Sequence, residues 1–182
     1  MRVFLAIDLP EHVRDELIVL QSSLTVGRPV PEENLHLTLC FLDEQPEEAV
    51  EEAHAALQGV RARAFTLRIS GVGSFGSRSL QVVFADFAQC PELVELERRV
   101  TRSLRAVGLK FPKRRFRPHV TLARLPKSLS AIELDKVRDY LVSNAGYRGS
   151  AFEVAGFSLF QSTLMPRGAR HEEIARYELA VI

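Results

Sequence analysis

The 182-residue chain has no tryptophan, only two methionines and only two cysteines. Cys40 and Cys90 stand in no paired or ligand-like spacing, which argues against a disulfide framework or a thiolate metal site and for free thiols in a reducing compartment. Long hydrophobic runs are also missing; none approaches the roughly 20 residues that cross a bilayer. The opening "MRVFLAIDLPEH" sets an acid and a proline after a short apolar stretch, which is wrong for a secretory signal. A cytoplasmic protein is expected, with no membrane association. Nor does one sign of charge dominate: 24 Lys and Arg against 23 Asp and Glu leave a net charge of +1. The overall field therefore announces no polyanionic partner. What is present is 46% hydrophobic and 26% charged residues, the profile of a globular chain long enough to bury a core without disulfides or metal.

The chain repeats its own order. "VFLAID" (3–8) reads as a short buried strand, and Pro10 suits the first turn of a helix with Val13, Leu17, Leu20 and Leu24 at helical spacing. A strand over about 35–42, a helix over 46–60 and a strand over 64–76 with glycine-rich hairpin chemistry follow. The second half gives a strand (80–86), whose Ala85-Asp86 echoes Ala6-Asp8, then a strongly amphipathic helix (91–107). A strand over about 118–125, a helix over 130–142 and strands over 151–162 and 171–182 complete it. The expectation is one α+β domain spanning 1–182, with pseudo-repeat halves of about 1–78 and 79–182. Two antiparallel sheets related by a pseudo-twofold axis would carry helices on the outside and a central cleft.

"NLHLTLCFLD" (34–43) and "PHVTLARLPK" (118–127) share the frame His-x-Thr-Leu-x-x-Leu, and so use two of only five histidines. On a strand, residues i and i+2 share a face. His36 and Thr38 then point one way, as do His119 and Thr121, while Leu37, Leu39 and Phe41, and Val120 and Leu122, point into the core. One imidazole in each half can supply a general base and a general acid near neutral pH. Two hydroxyls suit the non-bridging oxygens of a phosphodiester undergoing in-line displacement. Arg124 and the upstream Lys113, Arg114, Arg115 and Arg117, in the run "KFPKRRFRPH" (110–119), add positive charge for phosphate.

A lone histidine on a strand is ordinarily structural, and His12, His54 and His171 read that way, at helix surfaces or a strand start. Two copies at equivalent points of a repeat are a different matter. Cys40 shares the parity of His36 and Thr38 but is matched by Ala123, so it reads as cleft-wall packing rather than a nucleophile. Neither motif supplies the converging carboxylates that two-metal phosphoesterases use. Catalysis without a metal or cofactor is expected. "GVGSFG" (71–76) lacks the lysine and following helix of a phosphate loop.

These residues resemble the paired His-x-Thr-x motifs of the two-histidine (2H) phosphoesterase superfamily. With the flanks "VFLAIDLP", "ENLHLTLCFL", "FRPHVTLARL" and "LFQSTLMPRGARHEEIARYEL", essentially the whole chain resembles its RNA 2′,3′-cyclic phosphodiesterase branch, also called the 2′-5′ RNA ligase or LigT-like family. The resemblance implies hydrolysis of RNA 2′,3′-cyclic phosphate ends to 2′-phosphomonoesters, with 2′-5′ ligation as the same chemistry run with a 5′-hydroxyl. It makes His36 the proton donor to the leaving oxygen and His119 the base that activates water, with Thr38 and Thr121 binding the phosphate. Arg124 matches the family's arginine after the second motif, although its parity on an ideal strand is opposite to that of His119. The expected partner is RNA with a 2′,3′-cyclic phosphate terminus, and the expected state is a monomer. Two other readings remain: a non-catalytic RNA-end binder, and a phosphodiesterase for small cyclic nucleotides.

Overall fold

Proline and apolar spacing set the helices. The computed structural model describes all residues except 77, 78, 113, 114, 167, 181 and 182. Helix α1 (Glu11–Ser22) starts directly after Pro10 and buries Val13, Leu17 and Leu20. Helix α2 (Glu47–Gln58) follows Pro46 and buries Val50, Ala53 and Leu57. Helix α3 (Pro91–Ala106) has proline at its first position, where no backbone N–H is needed, and buries Leu93, Leu96, Val100 and Leu104. Helix α4 (Ala131–Ser143) begins with a capping box, the Ser130 hydroxyl accepting from the Glu133 N–H and the Glu133 carboxylate accepting from the Ser130 N–H.

The strands are β1 (Arg2–Asp8), β2 (Arg28–Pro29), β3 (His36–Glu44), β4 (Phe65–Phe75), β5 (Val82–Phe87), β6 (His119–Arg124), β7 (Arg148–Val154), β8 (Gly156–Met165) and β9 (Gly168–Glu178). They form two antiparallel sheets, ordered β3-β1-β8-β9 and β2-β6-β5-β4-β7. The α+β architecture with two antiparallel sheets is as expected. The two halves exchange strands, however. β4, from the first half, pairs with β5, while β8, from the second half, pairs with β1. The single strand expected over 151–162 is two, because the chain leaves one sheet after Val154 and enters the other at Gly156.

Register matters most on the motif strands. In β3, Thr38 is opposite Ala6 and Cys40 is opposite Leu5, so Leu39 is an extra residue. In β6, Thr121 is opposite Phe84 and Ala123 is opposite Val83, so Leu122 is an extra residue at the equivalent place. Each β-bulge turns two successive side chains to the core and reverses the alternation beyond it. Leu39 and Cys40 are both buried, as are Leu122 and Ala123. Phe41 therefore does not enter the core as the ideal alternation predicts; it stands 42% exposed. Cys40 lies off the face of His36 for the same reason.

Candidate active site

β3 and β6 come together across the space between the sheets. Each lies beside a floor strand whose even-numbered residues share its open face: Phe4, Ala6 and Asp8 on β1, and Val82, Phe84 and Asp86 on β5. Asp8 is opposite His36 and Asp86 is opposite His119, so the two motif strands meet their floor strands in the same register. His36, Thr38, His119 and Thr121 are all half-buried and line these faces. The ring of His119 is fixed by Nδ1, 2.7 Å from the backbone carbonyl of Arg117. The backbone of Asn34, again two residues upstream, lies near enough to the His36 ring to favour its charged form. With Nδ1 donating to a carbonyl, Nε2 of His119 is left with a lone pair for proton transfer.

Both imidazoles are held toward the neutral form. Burial, reinforced by the nearby His171, lowers His36 from the usual 6.5 to about 4, and the Asn34 backbone opposes this only in part. His119 is also lowered, chiefly by burial and then by the Arg117 charge, with the Arg117 carbonyl and Asp86 opposing.

His171 is not the peripheral strand-start residue expected. It sits within β9, its ring 4.8 Å from Phe4 and 5.4 Å from His36. Its Nδ1 is buried without a hydrogen-bond partner among the described residues. No motif marked it, because the contact depends on β9 reaching β1 through β8. Phe4 and Phe84 went unmarked too, although the echo of Ala6-Asp8 in Ala85-Asp86 was a signal for the floor strands. Of the other two histidines, His12 is exposed on α1, and His54 on α2 bonds the Tyr177 hydroxyl at 2.9 Å.

The bulge at Leu122 also settles the parity of Arg124, which lies past it on the open face with His119 and Thr121 and is exposed. Phe41 occupies the corresponding place on β3, so the arginine is one-sided. Of the basic run, Arg117 lies over the rings of Phe84 at 4.9 Å and Phe75 at 5.2 Å, and its guanidinium is 3.6 Å from the Asp86 carboxylate. That makes it a brace beneath the second motif. Arg115 borders the cavity described next, while Lys113 and Arg114 lie outside the described residues.

A cavity of about 640 Å³ opens beside Thr38 and His119. Its walls are mainly the rings of Phe41, Phe75, Phe111 and Phe116, and α3 turns Glu97, Thr101 and Arg105 into it. Cys40 forms part of the wall, and burial pushes its thiol up to about 12, which suits packing rather than nucleophilic chemistry. Among the described residues no three of His, Cys, Asp and Glu assemble as a metal-ligand set.

Comparison with known proteins bears on this arrangement. The family described as LigT like Phosphoesterase matches residues 7–84 and 88–171. A protein of Archaeoglobus fulgidus named RNA 2′,3′-cyclic phosphodiesterase is 31% identical over 182 residues, covering 98% of this chain and all of that protein. One of the same name from Escherichia coli is 32% identical over 183 residues, covering 98% of this chain and 96% of its own. Among solved structures, apo Escherichia coli LigT superposes with a TM-score of 0.78 at 27% identity over 98% of this chain and 96% of its own. The same protein complexed with 3′-AMP gives 0.77 at 28% identity, with the same coverage of both chains. No helix among the described residues is long and apolar enough to cross a membrane.

Proposed function

The chain belongs to the LigT-like phosphoesterase family, and on that footing we propose that it is an RNA 2′,3′-cyclic phosphodiesterase yielding 2′-phosphomonoester ends. The observation that carries the reading is the matched pair His36/Thr38 and His119/Thr121, set on bulged strands at equivalent points of the two sheets. Water attacks phosphorus in line with the 3′-oxygen. His119 takes the proton of the incoming water as the P–O bond forms, and His36 gives a proton to the 3′-oxygen as its bond to phosphorus breaks. Thr38 and Thr121 donate to the non-bridging oxygens, where charge builds up in the transition state. Arg124, on the same face, offers a guanidinium to the phosphate.

Burial holds His36 toward the neutral form at pH 7, so the donor must be charged when substrate enters. The phosphodiester anion favours this, because a negative charge beside a buried imidazole stabilises its protonated form. Binding and proton uptake are thus one event. Each motif brings one imidazole and one hydroxyl, and among the described residues no metal-ligand set of carboxylates converges with them, which supports catalysis without a metal or other cofactor. A 5′-hydroxyl in place of water would give a 2′-5′ linkage by the same proton transfers. The composition, with two unpaired cysteines, supports a cytoplasmic protein.

The test is incubation of purified protein, in excess chelator, with RNA bearing a 2′,3′-cyclic phosphate end. Formation of the 2′-phosphomonoester is expected. Tight binding without turnover would favour a protein that only holds RNA ends, and turnover confined to mononucleotides would favour a small-nucleotide enzyme.

A further inference from the structure

We propose that the cavity beside the catalytic pair is a nucleobase subsite that selects guanine, with Glu97 and Arg105 reading the base edges between aromatic walls. The inference rests on the phosphodiesterase reading for the position of the phosphate and goes beyond it in naming the base.

Three observations carry it. First, the cavity shares Thr38 and His119 with the catalytic cleft, so a nucleoside whose phosphate sits at the threonines has its base within reach of this space. Second, the walls have the chemistry that holds unstacked RNA bases. Bases splayed from single strands stack on aromatic rings, which are indifferent to base identity. Phe41, turned outward by the bulge at Leu39, and Phe111, under the Arg105 guanidinium at 4.9 Å, supply such surfaces. Third, one of the polar groups is not what a phosphate site wants. Arg105, Arg115 and Arg117 border the cavity together with a single carboxylate, Glu97, on the inward face of α3. Glu97 is half-buried and has no hydrogen bond or ion pair within 4.0 Å among the described residues. Burial raises its pKa, while Arg105 is near enough to act against the shift without touching it. A desolvated carboxylate beside a site for an anion repels the ligand, unless the ligand brings donors to it.

The base that meets these groups can be identified from its edges. A carboxylate only accepts and a guanidinium only donates. Guanine offers two adjacent donors, N1–H and N2–H₂, which match the two carboxylate oxygens, and presents O6 and N7 as acceptors for arginine. Adenine and cytosine offer a carboxylate one amino group, and uracil offers a single N3–H. Thr101 does not compete, since its hydroxyl donates to the Arg98 carbonyl at 3.2 Å.

The experiment compares guanosine and uridine 2′,3′-cyclic phosphates with wild-type protein and Glu97→Gln, and measures calorimetric binding of guanosine and uridine 2′-monophosphates to both. Wild type is expected to favour guanosine in kcat/KM, mainly through KM, and the guanosine-to-uridine ratio is expected to fall about tenfold or more in Glu97→Gln. The bound monophosphates should show the same preference and the same fall. Equal use and equal binding of both bases by wild type, or an unchanged ratio in the variant, overturns the subsite. Guanosine-selective binding that depends on Glu97 but comes without turnover of any cyclic phosphate supports the subsite and overturns the phosphodiesterase reading instead.

Discussion

His171 stands edge-on to His36, with ring centroids 5.4 Å apart and planes at 87°, and both rings pack on Phe4. Two histidines from strands with no sequence relationship thus share one apolar seat, and a charge on one opposes a charge on the other. Replacing His171 with Gln keeps a polar side chain of similar length and removes the repulsion. His36 is then expected to titrate above its present value of about 4, though still below 6.5, because burial is the larger cause. The imidazole C–H resonances of His36, followed by NMR against pH, give the answer. An unmoved titration would mean that burial alone sets it.

The same depressed value links His36 to stability. The unfolded chain protonates this histidine near pH 6.5, whereas the folded chain does not until about pH 4. As pH falls through that window the unfolded state binds the extra proton, so stability present above pH 6.5 is progressively lost. One group shifted this far accounts for roughly 3 kcal/mol at most. Thermal unfolding of wild type and His36→Phe between pH 7.5 and 4 should show the steeper decline in wild type. Parallel curves would falsify this linkage.

Removal of either catalytic imidazole is expected to cost about 10²- to 10⁴-fold in turnover with the fold retained, the usual range for one general acid or base. Thr38→Val and Thr121→Val each take one donor from a shared oxyanion site and are expected to cost about 10²-fold. Turnover of cyclic-phosphate RNA, with melting temperature as the control for folding, decides it. Near-native activity in either histidine variant would sink the two-histidine mechanism.

Arg117 is expected to act on His119 rather than on distant phosphates. Its guanidinium stacks on Phe84 and meets Asp86, and its backbone carbonyl orients the His119 ring. Arg117→Met keeps much of the stem packing and removes a charge that lowers the His119 pKa. The limb of the pH–rate profile belonging to His119 is expected to move to higher pH, equally for a cyclic mononucleotide and a cyclic-phosphate oligonucleotide. A loss confined to the oligonucleotide would make Arg117 a contact to the RNA backbone.

Gly73 is where β4 leaves room for the Phe84 ring that packs edgewise with His119. A Cβ at this position would stand 2.5 Å from Phe84 Cζ, and Phe84 lies 5.5 Å from His119 between ring centroids. Gly73→Ala is expected to cost about 1–3 kcal/mol by overpacking and to lower turnover by shifting the Phe84 ring. Denaturant unfolding and turnover of the same preparation test both halves of this. Unchanged values for both would show that Phe84 can move without disturbing the site.

Local pattern was enough for much of this protein. Pro10 marked the first helix start and apolar spacing marked the helices over 46–60, 91–107 and 130–142, because proline and helical periodicity act on the chain within a turn or two. The repeated His-x-Thr frame was legible for a similar reason: residues two apart on a strand share a face whatever the strand packs against. Three features were not legible. The bulges at Leu39 and Leu122 arise from pairing with β1 and β5, and they alone bring Phe41 and Arg124 to the open face. The exchange of β4 and β8 between sheets, which carries β9 and His171 to His36, depends on which edges are free when the halves meet. Glu97 and Arg105 were only charges on an amphipathic helix until the fold set Phe111 and Phe116 around the same cavity. Sequence by itself determined the elements and the chemistry of the two motif strands, since those follow from short-range spacing. Tertiary structure decided the direction of each side chain beyond a bulge and the partners it met, because register and sheet order are set by contacts between residues far apart in the chain.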